Sequence, residues 1–365
     1  MIAQIKKKLV TTWMTVKQPF RYYLYTDAEI KPDPKDNVAL VNFDEFLLDK
    51  DWGRYSFIIC QMVKFSGFKI IIRLDYNFFF SLMPYKRMLL AQEYLKVRNI
   101  AVETSSIQLR GKNFKKKSIE LVYGYKLFRN KIDAYYLPYT LHPRFYQTYD
   151  ENTNFQAYRE TERKIRILFA GNFERKAYSR PILKEDFEGI ITRVEVLDHI
   201  RAKYSEDARI IYSPTKEHLY NLLETTPIVN NFIIIEVKTP QENWLRILSK
   251  GDFYLCLPGG AMPLSHNAFE SMAVGTIPIL QYNDLFYPHL EHLKNCIAYS
   301  SYDTLEKAIE LALSMDKQDL LLMKQQVMQY YDEYLATEQT INRIKSFVES
   351  GEEKMTIEIP YLNKR

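Results

Sequence analysis

The stretch Asp252-Phe-Tyr-Leu-Cys-Leu-Pro-Gly-Gly-Ala-Met-Pro-Leu-Ser-His-Asn-Ala-Phe-Glu-Ser-Met-Ala-Val-Gly-Thr-Ile-Pro-Ile-Leu280 decides how this chain is read. Phe253 to Leu257 is a short apolar run stopped by Pro258-Gly259-Gly260, the pattern of a buried strand ending in a tight loop. Ser265 is a favourable N-cap, Gly275 suits the position just past a helix end, and Pro278 follows, so the spacing predicts a helix from His266 to Val274. Thr276 to Leu280 reads as the next buried strand. Strand, loop, helix, glycine and strand make a βαβ unit, and in such sheets ligands gather beyond the carboxyl ends of the strands. Gly259, Gly260, Ser265 and His266 fall there.

Working upstream, Ile165 to Ala170 is another buried strand, running into Gly171-Asn172 and then Arg175-Lys176. A glycine at the end of an opening strand lets backbone approach a ligand closely, and neighbouring cations can hold phosphate. Between these strands, Arg180 to Tyr204 and Gln241 to Ser249 contain helical material, and Arg209 to Tyr212 and Phe232 to Val237 are strand-like. Downstream, Asn295 to Tyr299 is a strand, Ser301 opens a helix reaching Ser314, and Leu320 to Ser350 reads as a long helix with one apolar face. The last eleven residues carry no assignment.

The first half repeats the theme. Asn37 to Phe43 and Lys69 to Leu74 read as strands around a helix from Trp52 to Ser66, which places Asp44-Glu45 and Asp75 on the same edge of a first parallel sheet. Tyr85 to Arg98 reads as a helix, Ile119 to Tyr123 and Ala134 to Leu137 as strands, and Arg110, Lys112 and Lys115-Lys116-Lys117 as a basic loop. The text turns loop-like from Pro138 to Ala157, where the domain junction is expected. The expected architecture is therefore α/β, two Rossmann-like domains over 1–150 and 151–316 facing a cleft, with a helix and tail at 317–365 packing back on the first.

Composition agrees with two domains: 365 residues, 47% hydrophobic, are too many for one ordinary core. A net charge of +5 is far below that of a dedicated nucleic-acid binder and suits an anionic small ligand or an anionic membrane surface. Three cysteines, Cys60, Cys256 and Cys296, are odd in number and widely spaced, the usage of buried free thiols in a reducing compartment. No run reaches the roughly 18 apolar residues of a membrane span. A cytoplasmic location follows as the expectation. Lys6-Lys7-Lys8 beside Leu9, Val10, Trp13, Met14 and Val16 suits either an ordinary first helix or a peripheral contact with anionic lipid.

Within the 266–274 helix, His266 and Glu270 are four apart and share a face. The free amides at its start, around Ser265 to Asn267, carry the positive end of the helix dipole. One helix can then neutralise a diphosphate while Glu270, just over a turn further in, accepts two hydrogen bonds from a ribose diol. Each residue also has an ordinary role, as cap, polar helix start or ion-pair partner; the Gly-Gly loop and the one-turn spacing favour the nucleotide-sugar reading.

The order Phe-Tyr-Leu-Cys-Leu-Pro-Gly-Gly, a short polar segment, then Asn-Ala-Phe-Glu-Ser-Met-Ala-Val-Gly-Thr-Ile-Pro-Ile resembles the donor-site signature of GT-B glycosyltransferases, with the exostosin-like branch most similar. The motif-level resemblance covers residues 245–312. It implies that Glu270 binds the nucleotide ribose, that Gly259-Gly260 lie near the diphosphate, and that Gly171 with Arg175 or Lys176 brings a cation to the leaving phosphate. Retaining members often carry a second glutamate eight residues earlier; here that position is Met262, which points to inversion. Inversion needs a general base, for which the first domain offers Asp75, Asp44 and Glu45. Asp49-Lys50-Asp51 precedes a helix instead of closing a strand, so metal-independent chemistry without a cofactor is expected. The implied partners are a UDP- or GDP-linked sugar and a glycan or lipid-linked glycan acceptor. A non-catalytic glycan-binding scaffold, or a nucleotide-sugar epimerase, is the alternative.

Overall fold

In the computed structural model, the described residues are 22, 23, 25, 35–80, 83–124, 134–147, 155–172, 174–224, 228–235, 239 and 243–360. The amino-terminal segment with Lys6 to Val16 lies outside them. In chain order the strands are β1 (Val38–Asn42), β2 (Lys69–Arg73), β3 (Leu95–Val97), β4 (Ser106–Gly111), β5 (Phe114–Tyr123), β6 (Tyr135–Tyr136), β7 (Ile165–Ala170), β8 (Ile210–Ser213), β9 (Ile228–Ile235), β10 (Gly251–Leu255), β11 (Ile277–Leu280), β12 (Ile297–Ala298) and β13 (Lys354–Ile359). They form two sheets, each in its own compact unit. One unit comprises Met1–Leu137, Pro143–Thr148 and Thr337–Arg365, the other Pro138–His142 and Tyr149–Ala336.

Among the described residues the first unit holds a seven-stranded sheet in the order β3-β2-β1-β4-β5-β13-β6. β1 is buried along its whole length, as expected of a strand covered on both faces, and pairs in parallel with β2, Val38 opposite Lys69. The carboxyl ends of β1 and β2 therefore do share an edge, but the sheet is mixed and not parallel, because β4 runs antiparallel to both β1 and β5. β4 was hidden by its alternation. Ile107 and Leu109 are fully buried on one face, while Ser106, Gln108 and Arg110 occupy the other.

Three expectations for this unit are corrected. The helix begun near Tyr85 runs only over Pro84–Ala91, and Leu95–Val97 leaves it to become the edge strand β3. The basic stretch is not a loop but the β4–β5 hairpin, and Lys117 is buried, its Nζ donating to the carbonyls of Ser350 at 2.7 Å and Glu352 at 2.6 Å. The unassigned tail supplies β13, which lies parallel between β5 and β6.

Among the described residues the second unit holds a six-stranded sheet in the order β12-β11-β10-β7-β9-β8, parallel at every pairing. Ile165, Ile167, Leu168 and Phe169 of β7 are each at most 1% exposed, and full burial of such side chains stabilises by roughly 1.5–3 kcal/mol apiece. The order reverses between β7 and β10, with β9 then β8 on one side and β11 then β12 on the other. That is the switch point at which a doubly wound sheet opens a crevice at its carboxyl edge. The expected His266 helix is present at His266–Ala273, with Gly275 following at φ 73° in the left-handed region. The long helix expected from Leu320 is interrupted: Lys317–Tyr330 passes into a wider turn at Tyr331–Leu335, and Thr337–Glu349 restarts beyond Ala336. All three cysteines are free and buried, and burial pushes their thiols up, Cys296 to about 12. No helix among the described residues is long and apolar enough to cross a membrane.

Candidate functional site

The switch point is built by the loops that follow β7 and β10. Gly171 and Asn172 leave β7; Cys256 to Gly260 leave β10. A Cβ on Gly260 would stand 2.5 Å from the carbonyl oxygen of Ala177, in the short Arg175–Tyr178 helix that follows β7, and one on Gly259 2.5 Å from that of Met262 in its own loop. The Gly-Gly pair is therefore required first by backbone packing within the unit.

A residue that the sequence reading missed ties these loops together. Arg193 is 4% exposed at the first position of the Arg193–Lys203 helix, and its guanidinium donates from Nη1 to the carbonyl of Asn172 at 3.2 Å and from Nη2 to that of Leu257 at 3.3 Å. It also lies 3.9 Å from the centre of the Tyr178 ring, while its buried Nε has no hydrogen-bond partner. A cation in the first turn opposes the helix dipole, which was the available signal that this arginine has work outside its own helix. Thr192 and Glu195 form a capping box that accounts for the helix start by itself. The cations that were singled out lie elsewhere: Lys176 is exposed, and the fork of Arg175 is occupied by Asp198 at 2.6 and 2.8 Å.

Ser265 takes the N-cap position, with extended φ −138° and ψ 150°, but its side chain makes no capping bond, and its buried Oγ lacks a partner of hydrogen-bond geometry. The helix-start amides are thus left to other acceptors. Asn267 is committed inward. Its Nδ2 donates to the Tyr254 hydroxyl at 3.0 Å, and that hydroxyl donates to the carbonyl of Ala170, linking the helix start to the end of β7.

Glu270 is 2% exposed and its carboxylate is held by the protein. Oε2 accepts from the indole Nε1 of Trp244 at 2.6 Å, and Oε1 from the main-chain N–H of His142 at 3.0 Å. The expected one-turn partner is present: His266 Nε2 lies 3.9 Å from Oε2. The half-buried rings of His266 and His142 meet edge to face, centroids 5.0 Å apart. The far end of the helix is anchored by cations, as its dipole favours, since Arg159 Nε donates to the carbonyl of Ala273 at 2.9 Å and Arg163 Nη2 to that of Val274 at 2.7 Å. The fold of the second unit is a doubly wound α/β sheet with a buried carboxylate beside its switch point.

In the first unit, the three carboxylates at the carboxyl edge are each engaged. Asp44 caps the Glu45–Asp49 helix through the Leu47 N–H at 2.7 Å and also accepts from Tyr123 at 2.8 Å and Ser105 at 2.6 Å. Burial, with Asp44 beside it, pushes the Tyr123 phenol up. Asp75 is paired with Arg73, which also donates to Asn42 at 3.1 Å. Glu45 is exposed and accepts from Asn77 at 3.0 Å. Among the described residues, no group of three or more His, Cys, Asp and Glu side chains is arranged to hold a metal ion.

No protein-family model matches this sequence, and no curated protein does. Among solved structures, it is similar to a mutant of S. aureus TarM in complex with Fondaparinux, alpha-GlcNAc-glycerol and UDP, at a TM-score of 0.36 and 10% identity over 80% of this chain and 59% of that one. It is similar to the pneumococcal O-GlcNAc transferase GtfA, with UDP and GlcNAc, at 0.33 and 14% over 62% and 46%. A structure described as trehalose-6-phosphate from E. coli, bound with UDP-2-fluoro glucose, gives 0.37 and 12% over 87% and 74%. The chain thus spans about half the length of the first two proteins. The architecture stands on the strand order itself.

Proposed function

We propose that this chain is a glycosyltransferase of the GT-B kind, moving a sugar from a nucleoside-diphosphate sugar to a hydroxyl of a glycan or lipid-linked glycan. The observation that carries the reading is Glu270: a buried carboxylate, fixed by two N–H donors, on a helix whose start faces the carboxyl edge of a doubly wound sheet. The resemblance of residues 245–312 to the GT-B donor signature adds to it. In this reading Glu270 accepts the ribose diol, the amides around His266 face the diphosphate, and Arg193 adds positive charge from beneath the loops.

Transfer follows with inversion. The acceptor oxygen attacks the anomeric carbon as its proton passes to a general base; the bond from that carbon to the phosphate oxygen breaks, and the nucleoside diphosphate leaves. Asp75, Asp44 and Glu45 are the candidate bases, and the reaction proceeds without a metal ion. Thermal shift of the full chain against UDP-, GDP- and CMP-sugars tests donor binding: stabilisation that Glu270→Ala abolishes supports it, and none by any nucleotide counts against it.

A second reading, a non-catalytic glycan-binding scaffold, is favoured by one fact: each of the three candidate bases already has a protein donor. Product formation that is unchanged in Asp75→Asn, Asp44→Asn and Glu45→Gln removes the catalytic role of those carboxylates. Donor binding without any turnover supports the scaffold.

A further inference from the structure

We infer that Trp244 is the positioning residue for Glu270, setting the carboxylate to receive the two ribose hydroxyls of a nucleoside diphosphate; this rests on the proposed ribose-binding role of Glu270. Indole Nε1–H is a donor only, so a Trp244 beside Glu270 has one polar relation open to it. It takes it at 2.6 Å, a short bond of the charge-assisted kind. The indole is itself immobilised. Trp244 is 7% exposed at the start of the Trp244–Leu248 helix and meets the Tyr254 ring edge on, centroids 6.1 Å apart.

Tyr254 is the residue whose hydroxyl links Asn267 to Ala170. The strand that ends at the switch point thus braces the indole, and the indole braces the carboxylate. The other oxygen is held from an independent direction by the main-chain N–H of His142, 128 residues away in sequence. Donors on both oxygens limit rotation of the carboxylate about its terminal bond. Binding to a carboxylate already set in place avoids the ordering cost that a freely rotating glutamate would add.

The test uses full-length protein, UDP and GDP, and two readouts. Calorimetry on wild type, Trp244→Phe and Glu270→Ala should show Trp244→Phe weakening nucleotide binding roughly tenfold to hundredfold, the range for losing a hydrogen bond to a charged group, at a temperature where circular dichroism shows it folded. The chain has three tryptophans, so the indole N–H spectrum of wild type is simple. The resonance missing in Trp244→Phe should be the one that moves when nucleotide saturates the protein. Trp244→Phe binding as tightly as wild type, while Glu270→Ala binds poorly, overturns the positioning role and leaves the ribose role standing. Should Trp244→Phe not fold, Trp13→Phe and Trp52→Phe identify the other two indole resonances and so leave that of Trp244, and a Trp244 resonance unmoved at saturation overturns the inference. Wild type binding neither UDP nor GDP overturns both.

Discussion

The main-chain N–H of His142 donates to Glu270 Oε1 at 3.0 Å, across 128 positions of sequence. Together with Trp244 it makes Glu270 the acceptor of two N–H groups, so the residue proposed to meet the ribose also contributes to stability. Glu270→Ala leaves both donors without their acceptor, at a cost of about 1–3 kcal/mol for the buried Trp244 indole and less for the half-buried His142 N–H. Glu270→Gln keeps the shape and one acceptor oxygen, and should retain more than half of the lost stability while still losing nucleotide binding. Denaturant unfolding beside calorimetry separates the two effects.

Arg193 is expected to be irreplaceable by lysine. Its two Nη groups reach carbonyls at the ends of two different strands, a fork that a single ammonium cannot reproduce. Arg193→Met and Arg193→Lys should both lose about 1–3 kcal/mol of unfolding free energy. Both should also weaken nucleotide binding, with the lysine variant recovering part of the binding and little of the stability.

A third expectation concerns pH and the first unit. Glu358 on β13 is 4% exposed with Oε1 lacking a partner, and desolvation raises its pKa from 4.5 to about 7. The folded chain therefore holds a proton that the unfolded chain releases at lower pH. This contribution to stability is fully present below about pH 4.5 and is lost as pH rises through 7. Glu358→Gln, which stays neutral, should be more stable than wild type at pH 8 and should lose that advantage below pH 4.5 in paired melting curves.

Much of the second unit was legible because parallel strands buried on both faces leave unbroken apolar runs, and βαβ connections leave glycine and proline between them. The run from Ile165 to Ala170 and the His266 helix fell where their residues indicated. The first unit was less legible for a physical reason. β4 buries Ile107 and Leu109 but turns Gln108 and Arg110 to its other face, and β13 carries a glutamate in its interior and finds its partners far away in sequence, Lys354 opposite Ser118 of β5 and Ile357 opposite Tyr135 of β6. The candidate site was legible only along one helix. Spacing along one helix gave His266 and Glu270, whereas Trp244, His142 and Arg193 are brought in by tertiary structure.

Lys117 offers a check on that tertiary structure. It closes the carboxyl end of the Thr337–Glu349 helix through two carbonyls and lies 4.9 Å from the centre of the Phe347 ring. Lys117→Met should keep the stem and lose the donors, costing about 1–3 kcal/mol with no effect on nucleotide binding. Unfolding curves alongside the calorimetric titration read both.

The most direct measurement is the titration of full-length protein with UDP, GDP and their sugars, in parallel for wild type and Glu270→Ala. Wild type should bind at least one of them and gain about 2.7 kcal/mol of stability at a hundred times Kd, and Glu270→Ala should lose that gain. Wild type that binds none of them, or Glu270→Ala that binds as wild type does, would contradict the placing of a nucleotide sugar on this carboxylate.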